Sequence, residues 1–395
     1  MKKVNLFIGT LSGGGAERAV SNISLNLDEE IKRDIILYSH NTKIDYPYSG
    51  RLIYLDEMKL SNPLKKILAL ITHLREIRKI KKRNPEVPTI SFLEYPNLIN
   101  ALTRKSGKTI VSVRNHMSTK HNKGLKALFW NFTIKLLYSK TDQIVVVSQK
   151  IKRDLTVNYG ISPDKINVIY NSYPIENIQE LSEAPIEDKY KEIFNFPVII
   201  TSGRLNKQKG HWHLIRAFSG VKKKVIDAKL VFLGEGTLKE KLKELSKELG
   251  LDNDVHFLGF QENPFKYIKR SKIFVMSSLY EGFPNAIAEA MACGIPIVST
   301  DCLSGPREIL APNEFGNESI SYKIDEKRYG ILMPVCDGNM YMAKKKLTKE
   351  EQEMANCMIM LLQDEELAKH FSNQSLKRIQ DFNIKKIIKQ WVELI

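Results

Sequence analysis

The sequence predicts an α/β protein built from two doubly wound parallel sheets in tandem. Three observations lead there. A chain of 395 residues is too long for one ordinary hydrophobic core and suits two. Short apolar runs alternate with stretches of helical period, the pattern of parallel strands covered on both faces. The alternation stops once, at 172–197, where "SYPIENIQELSEAPIEDKYKEIFNFP" is acidic, carries three prolines and reads as a connection with a short helix.

In chain order, "VNLFIG" (4–9), "DIILYS" (34–39), "TISFL" (89–93), "TIVSVR" (109–114) and "QIVVVS" (143–148) read as buried strands, with "INVIYN" (166–171) the last of the first half. The opening "MKKVNLFIGTLSGGGAERAV" reads as a first strand rather than a signal sequence, because its apolar run is short and enters a glycine turn with charges. Residues 61–84 read as a helix with Leu64, Leu68, Ile71, Leu74 and Ile77 or Ile80 on one face, most simply a core stripe, and cations largely elsewhere. After the break, "VIITSGR" (198–204), "KLVFLGEG" (229–236), "VHFLGF" (255–260), "IFVMSS" (273–278) and "PIVST" (296–300) read as strands, with helices near 210–224, 237–249 and 285–292. The expected domains are 1–175 and 196–378. A terminal stretch, 379–395, ends in the amphipathic "IKKIIKQWVELI", which could pack on either domain, including back on the first.

Composition narrows the function classes. No apolar run reaches the roughly 18 residues needed to cross a bilayer. Cys293, Cys302, Cys336 and Cys357 have neither metal-site nor secreted-framework spacing, which points to a reducing cytoplasm. The net charge of +16 is concentrated: Lys59 to Lys152 holds 20 Lys or Arg against 4 Asp or Glu, leaving the remainder near neutral. Such a half suits anionic lipid, a phosphorylated substrate or nucleic acid, or serves only as a solvated face.

Open parallel sheets bind ligands at the carboxyl ends of their strands, and four motifs fall at such ends. Gly13, Gly14 and Gly15 separate the first strand from a helix, so backbone can approach an anion at the helix N-terminus; a plain turn would look the same. In "SGRLNKQKG", Arg204 and Lys209 precede Gly210 at a helix start and suit a diphosphate, although two surface cations in a loop would also read this way. In "SSLYEGFPNAIAEAMACGIPIVST", Glu281 lies in a loop and Glu289 one turn inside a helix opened by Pro284 and Asn285. Two carboxylates flanking such a turn suit a polyhydroxylated ligand, because each accepts several hydroxyl hydrogen bonds. His116 in "SVRNHMS" follows a strand end and could contact substrate or move a proton; a lone histidine is more often structural.

Together "SGGGAER", "GRLNKQKG", "LGEG", "VHFLGF" and "EGFPNAIAEAMACGIPIVST" resemble the family 4 glycosyltransferases, the spacing of Glu281 and Glu289 matching that family's E-x7-E motif. The resemblance covers most of residues 1–340 and is specific as an ordered set. It implies a GT-B fold, two Rossmann-like domains facing across a cleft, and transfer of a hexose or N-acetylhexosamine with retained configuration and no metal. The donor is a nucleoside diphosphate sugar, UDP-linked more often than GDP-linked, and no other cofactor is expected. By the same resemblance Arg204 and Lys209 bind the diphosphate, Glu289 the ribose, and Glu281 the donor sugar. Backbone from Phe283 through Pro284 to Asn285 contacts sugar or phosphate. Gly234, Glu235, Gly236 and the backbone of Phe260 border base and ribose, Gly14 and Gly15 close on the diphosphate, and His116 contacts the sugar. The leaving phosphate would help deprotonate the acceptor hydroxyl.

The expected acceptor is a polyprenyl-diphosphate-linked or other glycan, as in capsule, O-antigen or glycan-precursor assembly, met by a protein resting peripherally on the anionic cytoplasmic face of the plasma membrane. Two other readings stand beside it. A GT-B nucleotide-sugar epimerase would need no acceptor, and "EGFPNAIAE" favours transfer. A basic nucleic-acid-binding protein would leave the second domain unexplained, and no nucleic-acid module is recognised, so no nucleic-acid partner is expected.

Overall fold

The computed structural model describes residues 2–38, 44–55, 63–120, 124–316, 322 and 324–395, excepting the side chains at 63–64, 119–120 and 124–129. Leu64, named in the sequence reading, falls among these exceptions.

The chain divides into two compact units. One comprises Met1–Ser172 with Ile384–Ile395, the other Tyr173–Asn383. The first contains strands β1 (Lys3–Phe7), β2 (Lys32–Leu37), β3 (Arg51–Tyr54), β4 (Thr89–Phe92), β5 (Thr109–Val113), β6 (Gln143–Val146) and β7 (Ile166–Val168). They form a parallel sheet in the order β3-β2-β1-β4-β5-β6-β7. The second contains β8 (Val198–Ser202), β9 (Lys229–Leu233), β10 (Val255–Gly259), β11 (Ile273–Met276), β12 (Ile297–Thr300) and β13 (Ile331–Met333), parallel in the order β10-β9-β8-β11-β12-β13. Sequence order reverses between β1 and β4 in one sheet and between β8 and β11 in the other. These switch points are where a doubly wound sheet opens a crevice for ligand.

The central strands are mainly apolar and almost wholly buried, as strands covered by helices on both faces must be, with buried polar residues such as Asn5, Thr89 and Ser91 among them. The edge strand β3 and the three-residue β13 have no comparable run, and the sequence reading passed over both. Residues 173–197, read as a connection, belong to the second unit. Their helix Ile175–Ser182 buries Ile175 and Ile178 against the helices Phe265–Lys269 and Asn285–Ala292. The terminal helix Ile384–Val392 packs on the helix Gly15–Asn26 of the first unit. It buries Ile384, Ile387, Ile388 and Trp391 in a core with Val4, Leu6 and Phe92. At about 1.5–3 kcal/mol for each large apolar side chain buried, this short helix contributes substantially to that unit.

The helix Pro63–Arg83 corrects the expected stripe in part: Ile77 is buried and Leu74 and Ile80 pack against its core with Leu70, but Leu68 and Ile71 do not. Its fully buried line is Ala69, His73, Ile77 and Lys81, a strict four-residue repeat. His73 stacks on Tyr38 with centroids 5.6 Å apart. Packing on this line rotates Leu68 and Ile71 outward with Ile67, and all three are exposed. The solvent face therefore mixes exposed Ile67, Leu68 and Ile71 with exposed cations, Lys65 and Lys66 near its start and Arg75, Arg78, Lys79 and Lys82 further on.

Candidate active site

In the second unit the β8 and β11 loops are tied together at the switch point. Lys209 ends a 3₁₀ turn, Lys207–Lys209, and Gly210 then opens the helix His211–Val221. The Lys209 side chain runs past Gly203 and its Nζ reaches Glu281 Oε1 at 2.7 Å, with both groups largely buried. Ser278 Oγ donates to the same oxygen at 2.8 Å, and Gln208 Nε2 donates to Glu281 Oε2 at 3.3 Å and to the Tyr280 carbonyl at 3.0 Å. Ser277 Oγ donates to the Lys209 carbonyl at 2.9 Å. A carboxylate has about four lone-pair sites. Three are engaged here, leaving capacity for a ligand hydroxyl.

Lys209 is thus no loose surface cation. Arg204, by contrast, is exposed at the end of β8. The neighbouring strand ends are laced by backbone: Gly203 N to Leu233 O at 2.9 Å, Gly234 N to Gly259 O at 2.7 Å, and Leu205 N to Glu235 O at 2.9 Å. Gly234 has φ +137°, and a Cβ there would overlap the Gly203 carbonyl oxygen, so the close approach of these two turns requires glycine. Glu235 pairs with Lys239 at 2.7 Å, and the Phe260 side chain just beyond β10 is exposed.

The helix Asn285–Ala292 spans the expected residues, capped by Pro284 in an extended conformation. Glu289 is buried within it. The preceding loop is anchored from outside the motif. Ser304 Oγ donates to the Gly282 carbonyl at 2.8 Å, Phe283 meets Phe382 edge-on at 5.4 Å, and Tyr173 Oη donates to Asn285 Oδ1 at 2.7 Å. The Phe283 and Asn285 side chains therefore hold the loop.

In the first unit the glycine turn follows β1 at the switch point. Gly14 caps the helix Gly15–Asn26, and the Glu17 carboxylate of its first turn folds back over Gly14. A negative charge is favoured at that helix end, so Glu17 stands where an anion would be drawn. His116 lies beyond β5, its Nδ1 3.4 Å from Asp154 Oδ2 and 3.3 Å from Ser118 Oγ. Asp154 is buried and accepts the Met117 amide at 2.8 Å and the Ser118 amide at 3.2 Å, which orders this loop. Burial lowers the His116 pKa from its ordinary value, against the opposing pull of Asp154, and Lys150 adds to the lowering.

The structure thus joins Lys209 directly to Glu281 and sets Gly203 and Gly234 together beside them. The sequence reading missed Gln208, Ser278, Tyr280, Glu17 and Asp154. The first four lie inside or beside the quoted motifs, whereas Asp154 carried no local signal. Among the described residues no three His, Cys, Asp or Glu side chains group as metal ligands, and no helix is long and apolar enough to cross a membrane.

Comparison with known proteins gives the fold its family. The model described as Glycosyl transferases group 1 matches residues 184–327, and that described as Glycosyltransferase Family 4 matches residues 13–177. The N-acetylgalactosamine-N,N'-diacetylbacillosaminyl-diphospho-undecaprenol 4-alpha-N-acetylgalactosaminyltransferase of Campylobacter jejuni is 34% identical over 396 residues, covering 98% of this chain and 97% of the relative. An uncharacterized glycosyltransferase of Methanocaldococcus jannaschii is 41% identical over 304 residues, 75% of this chain and 74% of that one. Among solved structures, Anabaena HepE in complex with UDP and glucose superposes with a TM-score of 0.75 at 16% identity, covering 100% of this chain and 99% of that one. The chain belongs to the family 4 glycosyltransferases and has their GT-B fold.

Proposed function

We propose that the protein transfers a hexose or N-acetylhexosamine from a UDP-sugar to a polyprenyl-diphosphate-linked glycan at the cytoplasmic membrane face, with retained configuration and without a metal ion. The observation that carries this reading is the Lys209–Glu281 pair at the β8/β11 switch point. It sets a cation and an incompletely saturated carboxylate on neighbouring strand ends, in the unit that also holds exposed Arg204 and buried Glu289. A diphosphate joined to a sugar asks for such a set.

In this reading Lys209 and Arg204 steady the charge that grows on the leaving diphosphate, a role worth roughly 3–4 kcal/mol for a fixed donor such as Lys209 and less for exposed Arg204. Glu281 accepts a donor-sugar hydroxyl and Glu289 the ribose. Backbone at Phe283–Asn285, the Gly234–Gly236 turn and Phe260 border the nucleotide. Gly14, Gly15 and His116 act from the first unit. The acceptor hydroxyl attacks the anomeric carbon from the face the diphosphate leaves, and its proton passes to the departing phosphate oxygen.

The acceptor class draws on two supports. The Campylobacter relative is named for transfer to a diphospho-undecaprenol-linked sugar; for the donor, HepE was crystallised with UDP. The first unit adds the helix whose outer face combines exposed Ile67, Leu68 and Ile71 with exposed Lys65, Lys66, Arg75, Arg78, Lys79 and Lys82, a combination that suits an anionic bilayer. The test is transfer of radiolabelled sugar from a panel of UDP- and GDP-sugars to polyprenyl-diphosphate glycans in anionic vesicles with chelator present. Labelled lipid from one UDP-sugar is expected. Release of an epimerised nucleotide-sugar without transfer would contradict the reading, and equal failure to sediment with neutral and anionic vesicles at low salt would remove its membrane part.

A further inference from the structure

A buried charged cluster lies behind the Glu281 loop and has no part in the roles above. The helix His211–Val221 directs Trp212, His213 and Arg216 at the segment 334–347, which leaves β13 and leads to the helix Lys349–Gln363. Arg216 is fully buried. Its Nε donates to Glu351 Oε1 at 2.9 Å, its Nη1 to the Met342 carbonyl at 2.8 Å, and its Nη2 to the Lys345 and Lys346 carbonyls at 2.9 and 3.0 Å. Glu351 is equally buried, lies 2.8 Å from His213 Nδ1, and closes a capping box with Thr348. Trp212 Nε1 donates to the Asn339 carbonyl at 2.9 Å.

Withdrawing these charges from water opposes folding, and apolar side chains of the same volume often stabilise a core as well. What such side chains could not do is capture several backbone carbonyls of an irregular segment and fix its path. The fixed segment bears on the site. Gly338, with φ +75°, lies so close that a Cβ there would stand 3.0 Å from Leu279 Cδ1. Leu279 N donates to the Gln208 carbonyl at 2.8 Å, and the Gln208 side chain holds Tyr280 and Glu281. The line runs without a gap from Arg216 through the 334–347 segment and Leu279 to the Lys209–Glu281 pair.

We infer that Arg216, held by Glu351, is a positioning residue for transfer: its grip on the 334–347 segment sets Leu279 and so aims the Glu281 carboxylate. This rests on the reading of Glu281 as the carboxylate that meets the donor sugar.

The test uses the full chain carrying Arg216→Met or, as a surface-loop change that presses directly on Leu279, Gly338→Ala. Hydrogen–deuterium exchange at residues 277–283 and steady-state transfer are measured on folded protein. The expected result in both variants is exchange at 277–283 faster by about tenfold and kcat lower by about tenfold, with KM for the nucleotide-sugar within about threefold. Exchange at 277–283 and kcat within about twofold of the parent in the Arg216 variant would overturn the inference; where Arg216→Met does not fold, Arg216→Lys, which keeps a charge beside Glu351 but loses the grip on three carbonyls, decides by the same two readouts. A parent without transferase activity would instead strike the role given to Glu281, while the exchange data would still decide whether Arg216 holds that loop.

Discussion

The ligand edges of the two units are built differently. In the second, Lys209, Glu281, Ser278 and Gln208 are locked in one hydrogen-bonded set. In the first, the glycine turn follows β1 with Glu17 folded over Gly14, His116 follows β5 in a loop ordered by Asp154, and the helix Pro63–Arg83 shows apolar and basic side chains to solvent. A preorganised set loses little freedom when it takes a ligand, which suits a small donor recognised the same way each time. An edge with separate loops and an exposed helix face of apolar and basic residues suits a larger amphipathic partner.

The sharpest way to break the comparison is to cut the locked pair. Lys209→Ala or Glu281→Gln should lower turnover by about 10²–10³-fold. Each should also lower stability, since removing one partner of a largely buried ion pair costs about 3–5 kcal/mol. A double variant should lose much less stability than the sum of the singles, as chemical denaturation would show. Additive losses would mean the pair is not a unit. Arg204→Ala should lower kcat/KM by about 10–100-fold, the equivalent of one charge-assisted hydrogen bond, with an unchanged melting temperature because the side chain is exposed.

The two units also differ in their histidines. His211, fully buried, has its pKa pushed down to about 3 by burial with a further contribution from Lys209, whereas Asp154 opposes the lowering at His116. The sign follows directly. Below about pH 6.5 the unfolded chain protonates His211 while the folded chain does not, so stability is full above that pH and falls as acid is added, by about 2 kcal/mol at pH 5. His211→Phe should flatten the decline of melting temperature between pH 7 and pH 5 relative to the parent. The smallest effect is expected at Phe260. Only its backbone is given a role and its side chain is exposed, so Phe260→Ala should leave turnover within about twofold. A large loss would assign the ring a part in binding.

Much of this organisation was legible in residues. The buried strands announced themselves as short apolar runs, and the helix Asn285–Ala292 was bounded by Pro284 and Gly294, whose conformational preferences are local. The strand β3 was not legible because it opens on exposed Arg51 and none of its residues is fully buried, and β13, although apolar and buried, is a run of three cut short between Gly330 and Pro334. The face of the helix Pro63–Arg83 was read only in part, at Leu74, Ile77 and Ile80, because its buried line also passes through His73 and Lys81, polar residues that no apolar pattern would choose. The Lys209–Glu281 pair could not be read at all: the two residues are far apart in sequence and meet only because β8 and β11 are neighbours. The Arg216–Glu351 cluster is hidden for the same reason, although Thr348 and Glu351 carry a visible capping-box spacing.

The most direct test of the central claim is calorimetric titration of UDP into the parent chain and into Glu289→Gln, without added metal. Buried Glu289 is assigned the ribose of a nucleotide held in the second unit. The parent is expected to bind UDP, and the variant to bind it at least about tenfold more weakly while remaining folded, the loss of one hydrogen bond to a charged acceptor. A parent that binds no nucleoside diphosphate, or a variant that binds UDP as tightly as the parent, would contradict that claim.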